Sequence, residues 1–164
     1  MDAFESILTR RSVRKYKDLK VDSELENKIL QAGMQAPSAG NQQPWHFIVV
    51  ENRDTLRQLG ALAPSGPYIA QAPLAIVVAI EKTRFAVSDA SRAIQSMFLT
   101  AWSEGVGSNW AGFLGLSEVN ALLGIPDDLE VLAILPFGYP TRDIGQGKKQ
   151  RKSLSQVAHQ GRFG

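Results

Sequence analysis

The longest apolar run of the sequence is Ala72-Pro73-Leu74-Ala75-Ile76-Val77-Val78-Ala79-Ile80. It is rich in β-branched residues and carries no charge. A short continuous run of this kind predicts a strand that is fully buried. It is far too short to span a bilayer as a helix. The run therefore predicts a strand near the centre of a sheet, and the remaining elements are expected to pack around it.

The spacing of apolar residues predicts helices and strands on both sides of this run. They are a short helix around Phe4, a helix opened by a capping box at Ser23–Glu26 and stopped by Pro37, a strand at 45–50, a helix at 54–62, a loop at 63–71, a short strand or loop at 107–113, a helix at 117–123 and a strand at 129–137. The strongest helical pattern runs from Ala90 to Gly105, with Ser88 as its expected N-cap. This helix could be an ordinary core helix or be shared with a second subunit. The mixture of elements predicts a layered α/β domain.

Length and composition limit the possible classes of protein. The chain has 164 residues, 44% hydrophobic and 21% charged, which predicts one globular domain over residues 1–164. Cysteine is absent, which excludes a disulfide framework, a thiolate metal site and a cysteine nucleophile. The two histidines, His46 and His159, show no metal-ligand spacing, and no nucleophile elbow is present. The first residues lack the features of a signal peptide, so we expect a cytoplasmic protein.

Basic residues concentrate near the two ends of the chain, although the formal net charge is only +2. The segments 10–20 and 142–164 each hold six basic residues and one acid. Chain termini often lie close together in compact domains, so the two segments could form one positive pocket suited to a phosphate. Two separate solvated surfaces are the plainer interpretation, and a nucleic-acid-binding face is a third. The nearly balanced overall charge argues against the third.

Three polar segments are candidate ligand-binding sites. Arg10-Arg11-Ser12-Val13-Arg14 combines guanidinium groups with a hydroxyl, and guanidinium forks match phosphate oxygens. The loop from Pro37 to Trp45 carries dense hydrogen-bonding side chains between two prolines. Lys149-Gln150-Arg151 is the third segment. Taken singly, these segments could equally be a basic turn, an exposed connector and a solubilising tail.

Taken together, the segments resemble the nitroreductase family of FMN-dependent oxidoreductases. The matching pieces are Arg10-Arg11-Ser12-Val13-Arg14-Lys15-Tyr16, Ala36-Pro37-Ser38-Ala39-Gly40-Asn41-Gln42-Gln43-Pro44-Trp45-His46-Phe47, Trp110-Ala111-Gly112-Phe113 and Lys149-Gln150-Arg151. Their order and spacing cover nearly the whole chain, and the Pro-Ser-x-x-Asn-x-Gln-Pro-Trp loop is quite specific. The resemblance implies an α+β fold with a central, mainly antiparallel or mixed sheet flanked by helices. It also implies a homodimer with FMN sites shared between the subunits.

The resemblance also implies which residues bind the cofactor. They are Arg10, Arg11, Ser12, Arg14, Pro37, Ser38, Ala39, Asn41, Ala111, Gly112, Lys149 and Arg151. The FMN phosphate would be held by Arg10, Ser12, Lys149 and Arg151. Arg14 would lie near the N1–O2 edge of the flavin, where a cation stabilises the anionic reduced ring. The loop with Pro37, Ser38, Ala39 and Asn41 would come from the partner subunit, and the backbone N–H groups of Ala111 and Gly112 would face flavin N5 and O4. The helix with Phe98 and Trp102 would pack in the dimer core.

The expected chemistry follows from the same resemblance. It is ping-pong hydride transfer from NADH or NADPH to flavin N5, followed by reduction of a nitro compound, a quinone or a similar acceptor. No side-chain nucleophile or metal would be needed, because the flavin transfers the electrons. Three alternatives stay open: a non-catalytic flavin carrier or redox sensor, a flavin-fragmenting or dehalogenating member of the family, and a nucleic-acid-binding module that uses both basic segments.

Overall fold

The structure is a computed structural model that describes residues 1–144 and 149–163. The helices in this part of the chain are α1 (Ala3–Thr9), α2 (Ser23–Met34), α3 (Arg53–Leu62), α4 (Ala86–Ser103) and α5 (Ser117–Leu123). The strands are β1 (Trp45–Val50), β2 (Leu74–Glu81), β3 (Gly107–Ser108) and β4 (Leu129–Gly138). Short 3-10 turns lie at Ala39–Asn41, Pro67–Gln71 and Leu154–Gln156. Over the described ranges, every helix is too short or too polar to cross a membrane.

The sheet has four strands in the order β1-β2-β4-β3, and each neighbouring pair is antiparallel. Trp45 pairs with Ile80 between β1 and β2, and Leu74 pairs with Phe137 between β2 and β4. The predicted central strand is confirmed, with its start moved from Ala72 to Leu74, directly after a proline that has no N–H for the ladder. The expected antiparallel sheet with flanking helices is confirmed as well.

Both faces of β2 are buried, which explains why its sequence is apolar without alternation. Ile76 and Val78 belong to the hydrophobic cluster under α2 and α4, and Ala75 and Val77 belong to the cluster under α3 and α5. Successive side chains of a strand point to opposite faces, so one strand serves both clusters. The core residues shared by α2 and α4 include Ile29, Gly33, Ile94 and Met97. The sheet thus forms the middle layer of the fold.

Two predicted N-caps are wrong, one by a single residue and the other by three. The N-cap of α2 is Asp22, whose carboxylate accepts the Leu25 N–H at 2.8 Å, so Ser23 is already inside the helix. Aspartate and serine are comparable N-cap residues, and the sequence alone did not separate them. Helix α4 begins at Ala86, after Phe85, and has no side-chain cap. Ser88 instead accepts a hydrogen bond from Arg92 Nη2 at 3.2 Å.

The amino-terminal segment is attached to the far edge of the sheet. Ser12 forms a parallel bridge with Ser108 of β3, and Val13 N–H donates to Ser108 O at 2.9 Å. Glycine is required at position 107, because a Cβ there would lie 2.2 Å from Val13 Cγ2. Tyr16 extends the attachment through a bridge with Pro140. This segment is therefore attached to β3 through Ser12 and Val13, and to the end of β4 through Tyr16.

Candidate functional site

The two basic ends of the chain meet in one pocket. It has a volume of about 590 Å³ and is lined by Arg10, Arg11, Ser12, Ile144, Lys149, Gln150 and Arg151. We call these residues the cationic pocket. Lys148, another basic residue of the second segment, lies outside the described residues. Of the interpretations that the charge pattern left open, the geometry supports a single positive pocket over two separate surfaces.

The end of α1 holds the two sides of the cationic pocket together. Arg10 follows the helix directly, and its N–H donates to Ser6 O at 2.9 Å. Its guanidinium carbon lies 5.9 Å from the centre of the Phe98 ring on α4, within the range of a cation–π contact. Lys149 Nζ donates to Ile7 O at 3.3 Å. The basic carboxyl-terminal segment is thereby placed beside the first arginines of the chain.

The electrostatics of the cationic pocket favour an anion. Burial, followed by the charge of Arg151, lowers the pKa of Arg10. Burial also lowers the pKa of Lys149, with further contributions from Arg10, Arg11 and Arg151. Neighbouring cations repel one another, which disfavours their protonated forms. A bound polyanion offsets this repulsion. The donor set of guanidinium, ammonium and hydroxyl groups therefore fits a phosphate.

A second group of polar residues lies further along the same segment, beside Arg14. The Arg14 guanidinium carbon is 5.7 Å from the centre of the Tyr68 ring. The Tyr68 hydroxyl accepts a hydrogen bond from the side chain of Asn109, which is almost fully buried. In the same 65–68 stretch, the Ser65 hydroxyl accepts the Gly112 N–H at 3.2 Å. Arg14, Ser65, Tyr68 and Gly112 thus lie around one side of the 108–112 segment.

The two backbone N–H groups expected at the flavin differ in availability. Ala111 N–H donates to Ile134 O at 2.9 Å, as part of a bridge to β4. The sheet therefore engages the Ala111 N–H, and its role at the flavin stays a prediction. Among the described residues, the Gly112 N–H donates to the exposed Ser65 hydroxyl alone, and its φ of 73° is one that glycine adopts at little cost.

The loop Pro37–Asn41 lies elsewhere on the chain, at the beginning of α4. Ala39 N–H donates to Asp89 Oδ2 at 3.0 Å, and Ser38 Oγ accepts Gln43 N–H at 2.9 Å. Asp89 is in the first turn of α4, whereas Phe98, the contact of Arg10, is nine residues further along. At a rise of about 1.5 Å per residue the two points are about 14 Å apart along the helix. This loop and the cationic pocket are therefore separate in one chain.

Comparison with known proteins identifies this arrangement. The sequence profile of the nitroreductase family matches residues 7–68 and 64–139, which is most of the chain. The chain belongs to the nitroreductase family. It is 40% identical over 154 residues to a Methanothermobacter thermautotrophicus protein that is provisionally named an NADH dehydrogenase/NAD(P)H nitroreductase, and the match covers 88% of this chain and 81% of that protein. The relatives support an oxidoreductase enzyme.

Solved structures of family members share the whole fold. An FMN-dependent nitroreductase from Clostridium difficile is 30% identical, with a TM-score of 0.87 and coverage of 98% of this chain and 99% of that one. The NADPH:FMN oxidoreductase of Vibrio harveyi, in complex with NAD+, is 26% identical with a TM-score of 0.86. That match covers 99% of this chain and 78% of the Vibrio chain. The nitroreductase fold implied by the sequence motifs is confirmed.

Sequence reasoning missed several polar residues around these sites. Ser65 and Tyr68 fall in the stretch 63–71, which was predicted to be a plain loop and contains the 3-10 turn Pro67–Gln71. Asp89 and Arg92 are polar residues of α4 that no sequence motif marks. Their contacts join residues about fifty positions apart in sequence, and no local spacing signals such contacts.

Proposed function

We propose that this nitroreductase-family chain is an FMN-dependent NAD(P)H oxidoreductase, with the FMN phosphate in the cationic pocket. The observation that carries the proposal is the convergence of Arg10, Lys149 and Arg151 around one opening, with the pKa values of Arg10 and Lys149 lowered by burial and by neighbouring cations. A phosphate dianion has the charge and the acceptor oxygens that this donor set lacks. The names of the FMN-dependent relatives agree with that choice.

Bound FMN would supply the redox chemistry, accepting a hydride from NADH or NADPH and passing the electrons to a nitro compound, a quinone or a similar acceptor. The chain itself would supply position and charge. Arg14 would place a cation beside the ring edge, where negative charge develops on reduction. Gly112 would offer its N–H after the Ser65 hydroxyl turns away. No side chain of the site needs to act as a nucleophile.

We propose further that the active unit is a homodimer in which the loop Pro37–Asn41 serves the cationic pocket of the partner. The distance of about 14 Å along α4 between the attachment points of loop and pocket supports such sharing. Large apolar side chains are exposed on α1 and on the carboxyl-terminal segment: Phe4, Ile7, Leu8, Leu154, Val157 and Phe163. An exposed apolar surface of this kind is typical of a protein interface.

Anaerobic reduction tests the proposed function. The purified protein is loaded with FMN, separated from free flavin, and titrated with NADH or NADPH while its visible spectrum is recorded. We expect bleaching of the flavin band and its return on addition of a quinone or nitroaromatic acceptor. A protein that binds FMN but turns over neither nicotinamide would instead be a flavin carrier or sensor.

A further inference from the structure

Asp89 is a buried carboxylate that holds the loop Pro37–Asn41 against α4. Its side chain is 1% exposed, which is uncommon for an aspartate. Oδ2 accepts the Ala39 N–H at 3.0 Å, and Oδ1 accepts Arg92 Nη1 at 2.8 Å. A buried charge is tolerated only when it is paired and hydrogen-bonded, and both conditions are met here.

Arg92 extends the same contact to the start of the loop. Its Nη1 also lies 3.4 Å from Pro37 O, and its Nη2 donates to Ser88 Oγ at 3.2 Å. Its side chain is half exposed, so it closes the outer side of the buried Asp89. Two points of the loop, Pro37 O and Ala39 N–H, are therefore fixed by one Asp–Arg pair in the first two turns of α4.

The loop needs such an anchor because its own backbone is strained. Gly40, Asn41 and Gln43 all have left-handed φ angles, of 58°, 55° and 50°. Two of the three are not glycine, so the conformation persists only when its surroundings determine it. Hydrogen bonds within the loop contribute, for Gln43 N–H donates to Ser38 Oγ and Gln43 Nε2 donates to Asn41 O at 3.1 Å.

We propose that Asp89, with Arg92, is a positioning residue for cofactor binding, because it holds the loop Pro37–Asn41 in the conformation that contacts FMN. The inference rests on the proposed function, which places this loop at the flavin. Within the part of the chain that the structure describes, the hydrogen bonds of the Asp89 side chain go only to the loop and to its own helix. It acts through Ala39 and Pro37, and its loss would loosen the loop without removing any group that meets the cofactor.

The test compares Asp89→Asn with a matched control, Asp54→Asn. Asp54 forms the same i, i+3 pair with Arg57, at 2.6 Å in the first turn of α3, but this pair is exposed and holds no loop. The measured quantities are the FMN Kd by fluorescence quenching, the visible circular dichroism of bound flavin and the Tm of the apoprotein. We expect the FMN Kd of Asp89→Asn to rise by about tenfold or more, since a charge-assisted contact is lost. The flavin dichroism should change as well, with both readouts unchanged in Asp54→Asn.

The outcomes separate this inference from the proposed function. A wild-type protein that fails to bind FMN contradicts the proposed function and the inference together. A wild-type protein that binds FMN, beside an Asp89→Asn variant with the same Kd and dichroism, contradicts the inference alone, even if the variant has a lower Tm. That pattern would mean that Asp89 stabilises the fold without positioning the cofactor loop.

Variants of Arg92, the half-exposed partner of Asp89, test the inference even if Asp89→Asn does not fold. Arg92→Gln removes the charge next to Asp89 and the contact with Pro37 O, whereas Arg92→Lys keeps the charge. We expect the FMN Kd to rise by about threefold or more in Arg92→Gln, as loss of a partly exposed charged contact implies, and by less in Arg92→Lys. Wild-type affinity and dichroism in both variants would overturn the inference.

Discussion

Lys149 Nζ donates a hydrogen bond to the carbonyl oxygen of Ile7, at 3.3 Å, across 142 positions of sequence. This contact brings the carboxyl-terminal basic segment to the end of α1, where Arg10 and Arg11 follow. The cationic pocket is therefore formed from both ends of the chain, and neither end forms it alone. A phosphate bound there would join them further, because each end supplies donors to the same anion.

The affinity for FMN is expected to fall as the pH rises through the alkaline range. Burial and the neighbouring arginines lower the pKa of Lys149 from its ordinary value of 10.5. Its ammonium therefore loses its proton earlier on raising the pH, and each proton lost removes charge from the phosphate site. The FMN phosphate is already a dianion above about pH 7 and does not titrate in this range. The measurement is the FMN Kd between neutral pH and pH values approaching 10.5.

Lys149→Arg is the matched control for this pH dependence, since a guanidinium keeps its charge throughout the range. The affinity of the wild type for FMN should fall by up to about tenfold over this pH range, which is the usual effect of losing one charged contact. The affinity of the variant should stay nearly constant. An equal slope in both proteins would place the titrating group elsewhere.

Replacing Gly107 by alanine should lower both the stability of the fold and the affinity for FMN. The new Cβ of Gly107→Ala would lie 2.2 Å from Val13 Cγ2, so the segment carrying Ser12 and Arg14 must move away from β3. Overpacking of this kind costs about 1–3 kcal/mol of unfolding free energy. Chemical denaturation and FMN titration of the same samples measure the two effects.

Gly124→Ala serves as the comparison for that variant. Its φ of 64° also disfavours alanine, but a Cβ there meets no atom within 4 Å, and the position ends α5 away from the cationic pocket. We expect it to lose about 1 kcal/mol of stability. Its FMN Kd should equal that of the wild type. Weakened FMN binding in Gly124→Ala as well as in Gly107→Ala would show that the site responds to stability in general.

Mixed dimers test whether the loop Pro37–Asn41 acts across the subunit interface. One protomer carries Arg10→Ala and Arg151→Ala, and the other carries Ser38→Ala and Asn41→Ala, so neither parent dimer has an intact site. If sites are shared, each hybrid dimer has one site with both defects and one with none. Random pairing would then restore FMN binding at about one quarter of all sites.

Co-expression with two affinity tags isolates the hybrids for flavin quantification. A loop that serves the pocket of its own chain leaves every hybrid site with one defect. Absence of recovered binding in purified hybrids, together with normal dimerisation, would therefore contradict the shared site.

The central layer of the fold was predictable because β2 is covered on both faces, and an unbroken apolar run such as Leu74–Ile80 leaves few alternatives. The basic residues of the pocket were also visible as two charge clusters. Helix starts were less certain because Asp22 and Ser23 can both cap a helix, and only packing decides between them. The bridge between Ala111 and Ile134 was not predictable for a different reason, since it is a tertiary contact that no local motif records.

The contact between Asp89 and Ala39 was likewise not predictable from the sequence. An aspartate in the first turn of a helix is favoured by the helix dipole wherever it occurs, so its presence on α4 gave no signal of a loop contact. Asp89 is buried because the loop covers it, and this tertiary contact creates its need for two partners.

The most direct test of the account is the preference of the protein for FMN over riboflavin, which differ only in the phosphate. The Kd values of both flavins are measured for the wild type and for a variant with Arg10→Ala and Arg151→Ala. Loss of several charge-assisted contacts predicts a preference of about a hundredfold or more in the wild type, reduced to about tenfold or less in the variant. Riboflavin affinity should be the same in both. Equal binding of the two flavins by the wild type, or an unchanged preference in the variant, would contradict the assignment of the cationic pocket to the phosphate.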